Sequence, residues 1–319
     1  MDEKTKKKQY TIKITNILKG IAILIVMLGH YFRYAYTDSV FSSVGYSIGY
    51  FGAALFAFLS GFGIYLSYEK KGFGKYWLIN KFIKIYVPFL IVNMFSMTIY
   101  WNSHYSIWKR IFWITDDEVL WYIPFILVFY ILFYFVFSFL AKSKKIGIVL
   151  LIGIGVLQIL LGNRMKIGSN WYTATASLLC GILVATILPK ILESSERKLI
   201  IYVIVSCTIM FVGAYMSKKI CGNSMVKDIF TSFSGVGFCM TFFILTVLWY
   251  KILEYPIFEG LAYMGSMSLE LYLIHMKVME FCYDNPRFML IPYFVITILL
   301  ARLLKQAVGC LPQKKKERS

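Results

Sequence analysis

Two histidines set deep in apolar runs are the first residues in this chain whose type and place could do chemistry. His30 lies within the apolar stretch from Asn16 to Arg33, with Gly20 through Gly29 almost wholly apolar on one side of it. An imidazole can serve there as a general base or as a nucleophile. Packing alone explains it poorly, because ionisable groups in membrane-spanning helices are costly and usually face a protein interior, a partner or a water-filled path. Lys19 precedes His30 by eleven residues. On a helix that spacing puts the two on one face within roughly 20° and separates them by roughly 16 Å along the axis, about half a bilayer core.

The second histidine belongs to the stretch from Gly265 to His275. Ser268, Tyr272 and His275 stand at i, i+4 and i+7, so three polar groups share one helical face while Leu269, Leu271, Leu273 and Ile274 lie elsewhere. His275 comes about ten residues into its run, roughly 15 Å deep, a level comparable with His30. The bland alternative is a tyrosine and a histidine satisfying each other between helices. The third histidine, His104, lies in a polar loop.

Other unusual positions are few. Lys81 and Lys84, at i and i+3, present adjacent cationic heads suited to a phosphate or pyrophosphate, although basic flanks of spanning helices look the same. Ser60-Gly61-Phe62 and Leu120-Trp121-Tyr122 place small and aromatic residues inside apolar runs, where helix packing is the competing explanation. The chain has no phosphate-cradling glycine loop, no His-Glu-x-x-His zinc helix and no Gly-x-Ser-x-Gly nucleophile elbow. Its six cysteines lack metal-ligand spacing, so no metal is expected. Cys180, Cys207, Cys239 and Cys310 read as small hydrophobes; Cys221 and Cys282 lie near one face, where a disulfide between them is open.

The elements that position these residues follow from composition. The chain is 59% hydrophobic and only 16% charged, with a mean hydropathy of +0.68, which excludes an ordinary soluble domain. Runs long enough to span a bilayer fall near residues 17–36, 46–68, 84–101, 119–140, 146–162, 171–188, 199–216, 230–250, 266–283 and 288–308. The ends of the fifth and sixth are the least certain, given Gly153, Gly155, Gly162 and Gly168. The fold class expected is all-α, a polytopic membrane protein of about ten helices. One membrane domain covers residues 1–319, with a basic amino terminus over 1–15 and a basic tail over 309–319. The first run lacks a small-x-small cleavage pattern and reads as an uncleaved span.

Lys and Arg concentrate on alternate connections, beginning with Lys4 to Lys8 and ending with Lys314, Lys315, Lys316 and Arg318. Basic loops stay cytoplasmic, so both termini are expected in the cytosol. The formal charge of +18 is then a topology signal and an anchor on anionic membrane lipid, with no nucleic-acid partner. The opposite loops differ: 102–118 holds His104, Trp108, Trp113, Asp116, Asp117 and Glu118, and 163–172 holds Asn163, Arg164, Asn170, Trp171 and Tyr172. Such side chains stack on and hydrogen-bond sugars, but aromatic residues also collect at any membrane interface. No internal repeat is visible, which disfavours an inverted-repeat transporter.

With these residues in place, the chain resembles the integral membrane acyltransferase-3 family, bacterial O-acyltransferases acting on surface glycans and related acceptors. Lys19-x10-His30 resembles the family's Arg/Lys-x10-His signature. Phe58-x-Ser60-Gly61-Phe62, Lys81-x-x-Lys84-Ile-Tyr86-x-Pro88, Leu120-Trp121-Tyr122 and Ser268-x-Glu270-x-Tyr272-Leu-x-His275 resemble its further segments in the same order. Lysines replace arginines at 19, 81 and 84, which keeps the charge but loses bidentate geometry. Leu269 stands where an aromatic residue is common.

The resemblance implies a multi-pass enzyme of the cell (plasma or inner) membrane. It would move an acyl group, acetyl from cytosolic acetyl-CoA, to a hydroxyl of a cell-surface polysaccharide or lipid-linked glycan. His30 would be the general base or itself the acyl carrier, with Lys19 at the cytoplasmic mouth. Lys81, Lys84 and Tyr86 would bind the CoA donor, and Ser60, Gly61, Trp121, Tyr122, Ser268, Tyr272 and His275 would line the site. The reading from a different class is a non-enzymatic exporter or flippase of a polysaccharide or lipid-linked sugar, which the same spans and aromatic loops would also serve.

Overall fold

Apolar runs of this length can meet their backbone hydrogen-bonding needs in lipid only as helices or as a closed barrel. The computed structural model resolves the choice: the described residues contain helices and no strand. Those residues are 3–37, 39–99, 121–162, 169–220, 224–250, 253, 255–280, 282 and 288–309. In chain order the helices are α1 (Glu3–Ala35), α2 (Val40–Lys71), α3 (Trp77–Ile99), α4 (Tyr122–Phe135), α5 (Lys144–Gly162), α6 (Ser169–Leu192), α7 (Glu196–Lys219), α8 (Ser224–Leu248), α9 (Pro256–Ser266), α10 (Ser268–Glu280) and α11 (Leu290–Gly309). A π-helical turn over Val136–Leu140 ends α4. Nine of these segments are long and apolar enough to cross a membrane by themselves. The protein is therefore an all-α, polytopic membrane protein.

The ninth crossing in chain order departs from the expected single span over 266–283. It is built from two short helices, α9 and α10, broken at Met267 with φ −125° and ψ 26°. The cause is local. Ser266 Oγ donates back to the Tyr263 carbonyl at 2.7 Å, a bond that competes with the helical ladder. Lys305 Nζ from α11 donates to the Ser266 carbonyl oxygen at 2.9 Å and to its hydroxyl at 2.8 Å. A carbonyl held from outside no longer needs the next turn, and the chain bends there.

The broken pair runs alongside α1 in one constant register. Lys13 pairs with Glu259, Gly20 and Gly265 meet the Leu261 and Asn16 carbonyls, and His30 meets His275. All these contacts fit an offset close to 245 residues, so the two elements point the same way. Seven crossings, α2 to α8, lie between them among the described residues, and an odd number has that result. The closeness depends on two missing side chains: a Cβ on Gly20 or on Gly265 would overlap partner backbone. Small residues set the approach of membrane helices in this way.

Antiparallel to α1 lies α2, with Gly45 against the backbone of Gly29 and Arg33, and Gly52 against Ala22 and Val26. Gly61 of α2 and Gly181 of α6 seat the next pair: a Cβ on either would overlap the Leu178 or Phe58 carbonyl. Gly155 and Gly162 of α5 face the Leu179 and Tyr172 side chains of α6, so these two are packing positions, whereas a Cβ on Gly153 would meet nothing within 4 Å; Gly168 lies outside the described residues.

The buried side chains divide into two groups. One gathers around α2, α4, α6 and α8 with the first half of α1; the other joins α1 from Ile23 onward to α3, α10 and α11. His30 sits between them. On the outward faces large apolar side chains are exposed, as at Ile201, Ile204, Phe211 and Tyr215 of α7, as a lipid-facing surface requires.

Candidate active site

Because α1 and α10 share a register, the two intramembrane histidines arrive at one level. His30 Nδ1 and His275 Nε2 are 2.7 Å apart, with the rings nearly parallel (13°) and their centroids 5.0 Å apart. His275 is wholly buried; His30 is half-buried and opens onto a cavity. The equal depth expected from the two runs is thus realised as a direct contact.

The proton positions follow from the partners. His275 Nδ1 lies 2.7 Å from the Tyr272 carbonyl oxygen, which can only accept, so Nδ1 carries the hydrogen. The neutral ring then has its lone pair on Nε2 and accepts from His30 Nδ1–H. That leaves the lone pair of His30 on Nε2. A carbonyl fixes one imidazole, which fixes the next, as outer partners do for catalytic and metal-bound histidines.

The cavity beside His30 offers about 60 Å³, room for a few water-sized groups and far less than a sugar unit with its neighbours. Arg33, one turn beyond His30, lines it and places its guanidinium 5.2 Å from the Tyr34 ring centroid and 5.3 Å from that of Tyr46. Tyr50 and Asn170 also line it. Tyr50 is anchored by donating to the Thr231 carbonyl at 2.9 Å. Trp121, Tyr122 and Tyr272 are among the other lining residues, and the last two meet edge to face with centroids 5.9 Å apart.

Toward the Lys19 end the polar groups continue. Ser60 Oγ and Tyr122 Oη are hydrogen-bonded at 3.0 Å, and the Tyr130 hydroxyl lies close to Ser60. Lys81 Nζ lies over the rings of Tyr130 (5.5 Å) and Trp77 (5.7 Å) and within electrostatic reach of both Lys84 and Lys19. The three lysines of the sequence reading are therefore gathered at one end of the helices.

The other expected positions are less central. Lys84 is exposed where Lys81 is half-buried. Tyr86 faces away from Lys81, its ring between Phe82 (4.9 Å) and Phe89 (6.1 Å). Gly61 serves the α2–α6 contact rather than the cavity, and Ser268 opens α10 at the break, two turns from His275. Cys282 donates to the Val278 carbonyl at 3.4 Å. Cys221, Leu120, the loop 102–118, Asn163, Arg164 and the tail 310–319 lie outside the described residues.

Arg33, Tyr46, Tyr50 and Tyr130 were not singled out from the sequence. Arg33 had a usable signal, since a residue three after His30 shares its face. Tyr130 had none, because its neighbour Ser60 is seventy residues away on another helix.

A multi-pass helical membrane protein with a tautomer-fixed histidine pair beside a small cavity is the class that fold and site define. A family model described as an acyltransferase domain matches residues 13–305. The chain belongs to this acyltransferase family. Its five quoted segments all fall within the matched range. No curated protein and no solved structure matches it.

Proposed function

We propose that the protein transfers an acyl group, acetyl, from cytosolic acyl-CoA to a hydroxyl of a cell-surface polysaccharide or lipid-linked glycan at the plasma or inner membrane. The observation that carries the mechanism is the chain Tyr272 carbonyl, His275, His30, which leaves His30 Nε2 as a proton acceptor at a cavity inside the membrane domain.

In this reading the acceptor hydroxyl enters from the Arg33 end, where Arg33, Tyr50 and Asn170 line the cavity. The thioester arrives from the Lys19 end. His30 Nε2 takes the hydroxyl proton as the oxygen attacks the thioester carbon, and the tetrahedral intermediate collapses with cleavage of the C–S bond. The departing thiolate recovers the proton from His30, giving an ester and free CoA thiol. His275 holds the rings in place and accepts the hydrogen bond that strengthens while His30 is charged. With a reference pKa of about 6.5, histidine suits proton exchange near neutrality.

Lys81 and Lys19, with Lys84 at the surface, supply positive charge for the donor's phosphates, while Tyr86 is too far round its helix to join them. The test is to purify the protein in lipid nanodiscs and supply labelled acetyl-CoA with glycan from the host envelope. Ester-linked label on the glycan supports the reading. Unchanged glycan O-acetylation in cells lacking the gene, with cytosolic glycan accumulating, would replace it with export.

A further inference from the structure

We infer that the hydroxyls of Ser60, Tyr122 and Tyr130 form a binding track for the amide-bearing arm of the thioester donor, joining the lysine cluster to the histidine cavity. This rests on the CoA-dependent reading above and adds a site and a residue, Tyr130, to it.

The track is continuous from one end to the other. Lys81 Nζ stands 5.5 Å from the Tyr130 ring centroid, the Tyr130 hydroxyl lies close to Ser60, and Ser60 Oγ meets Tyr122 Oη at 3.0 Å. Tyr122 then packs against Tyr272, and both line the cavity that His30 opens onto. Along α4 the hydroxyls lead away from the cavity: Tyr122 lines it, and Tyr130 follows eight residues later, roughly 12 Å along the helix axis.

The chemistry of the three residues fits an amide chain. Packing between helices α2 and α4 needs no hydroxyl, since phenylalanine at 122 and 130 would fill nearly the same space, and polar groups out of water are costly unless bonded. Whichever of Ser60 and Tyr122 donates in their bond, lone pairs remain on both oxygens, and a hydroxyl can both give and accept. Secondary amides present one N–H and one C=O each, so hydroxyls at intervals between the lysines and the cavity match them. A purely aliphatic ligand would gain nothing from these groups. The lysines at one end and the base at the other give the track its direction: phosphates at Lys81 and Lys19, amides along the hydroxyls, thioester at His30.

The experiment measures, by titration calorimetry on the full chain in nanodiscs, binding of CoA and of the adenosine bisphosphate half of CoA, which lacks the arm. Tyr130→Phe and Ser60→Ala are each expected to weaken CoA about tenfold, the scale of one hydrogen bond. They leave the nucleotide half unchanged, which also reports an intact fold. Lys81→Ala weakens both ligands. Wild-type CoA affinity in the Tyr130→Phe and Ser60→Ala proteins, or equal weakening of both ligands by them, overturns the track alone. Failure of the unsubstituted protein to bind CoA overturns the donor reading and the track with it.

Discussion

Replacing His275 by alanine is expected to lower kcat by about 30- to 1,000-fold with little change in the donor KM. The magnitude comes from the 2.7 Å contact between His30 Nδ1 and His275 Nε2. When His30 holds the acceptor's proton, that hydrogen bond becomes charge-assisted, worth about 1.5–3 kcal/mol in a site shielded from water. Losing the partner also frees His30 to place its hydrogen on Nε2, which removes the base from the cavity; together these cost about 2–4 kcal/mol, the stated range in rate. Glutamine at 275 can present an amide oxygen near the position of the imidazole Nε2 and accept from His30 Nδ1–H, so His275→Gln is expected to recover most of the loss. The assay is single-turnover transfer from labelled acetyl-CoA, with thermal unfolding in nanodiscs to establish that each variant is folded. A folded His275→Ala protein with wild-type turnover, or a glutamine variant no better than alanine, would refute the role given to the pair.

Other outcomes follow from the packing and the charges. Gly20→Val puts side-chain atoms into the Leu261 carbonyl and should lower stability by about 1–3 kcal/mol, whereas Gly63→Ala, where nothing lies within 4 Å, should be silent in the same melts. Lys81→Ala should raise the KM for acyl-CoA more than Lys84→Ala, because only Lys81 is half-buried over Tyr130; equal effects would argue against a buried donor site. Lys13→Ala breaks only a partly exposed pair with Glu259 and should change stability by less than about 1 kcal/mol. Transfer should fall as pH drops, since a base already protonated cannot accept the hydroxyl proton; a rate that rises on acidification would contradict the direction of proton flow.

The parts of this site that lie along one helix were legible in the sequence, and the parts that lie between helices were not. Helical spacing put Lys19 and His30 on one face, and counting residues from the span ends put His275 near the same depth; the contact at 2.7 Å is what those two facts become once α1 and α10 lie side by side. Hydropathy passes smoothly through Met267, so the break there was hidden: it depends on Lys305 of α11 capturing the Ser266 carbonyl. The glycines were visible but ambiguous. Only their partners show that Gly61 and Gly265 are crossing points, and that Gly61 therefore leaves the cavity to its neighbour Ser60. Tyr86, three residues before another aromatic ring, fell within the same segment as Lys81 but faces elsewhere on the helix. Ser60, Tyr122 and Tyr130 meet across α2 and α4, a juxtaposition that no local period encodes.

The role of His30 Nε2 as the proton acceptor for acyl transfer is tested most directly by the His30→Gln protein. The decisive measurement is the rate at which this folded variant moves label from acetyl-CoA to the glycan hydroxyl, set beside its affinity for CoA. A loss of at least about 100-fold in transfer, with CoA still bound as in the unsubstituted protein, is the result predicted. Transfer within a few-fold of the unsubstituted protein would contradict it.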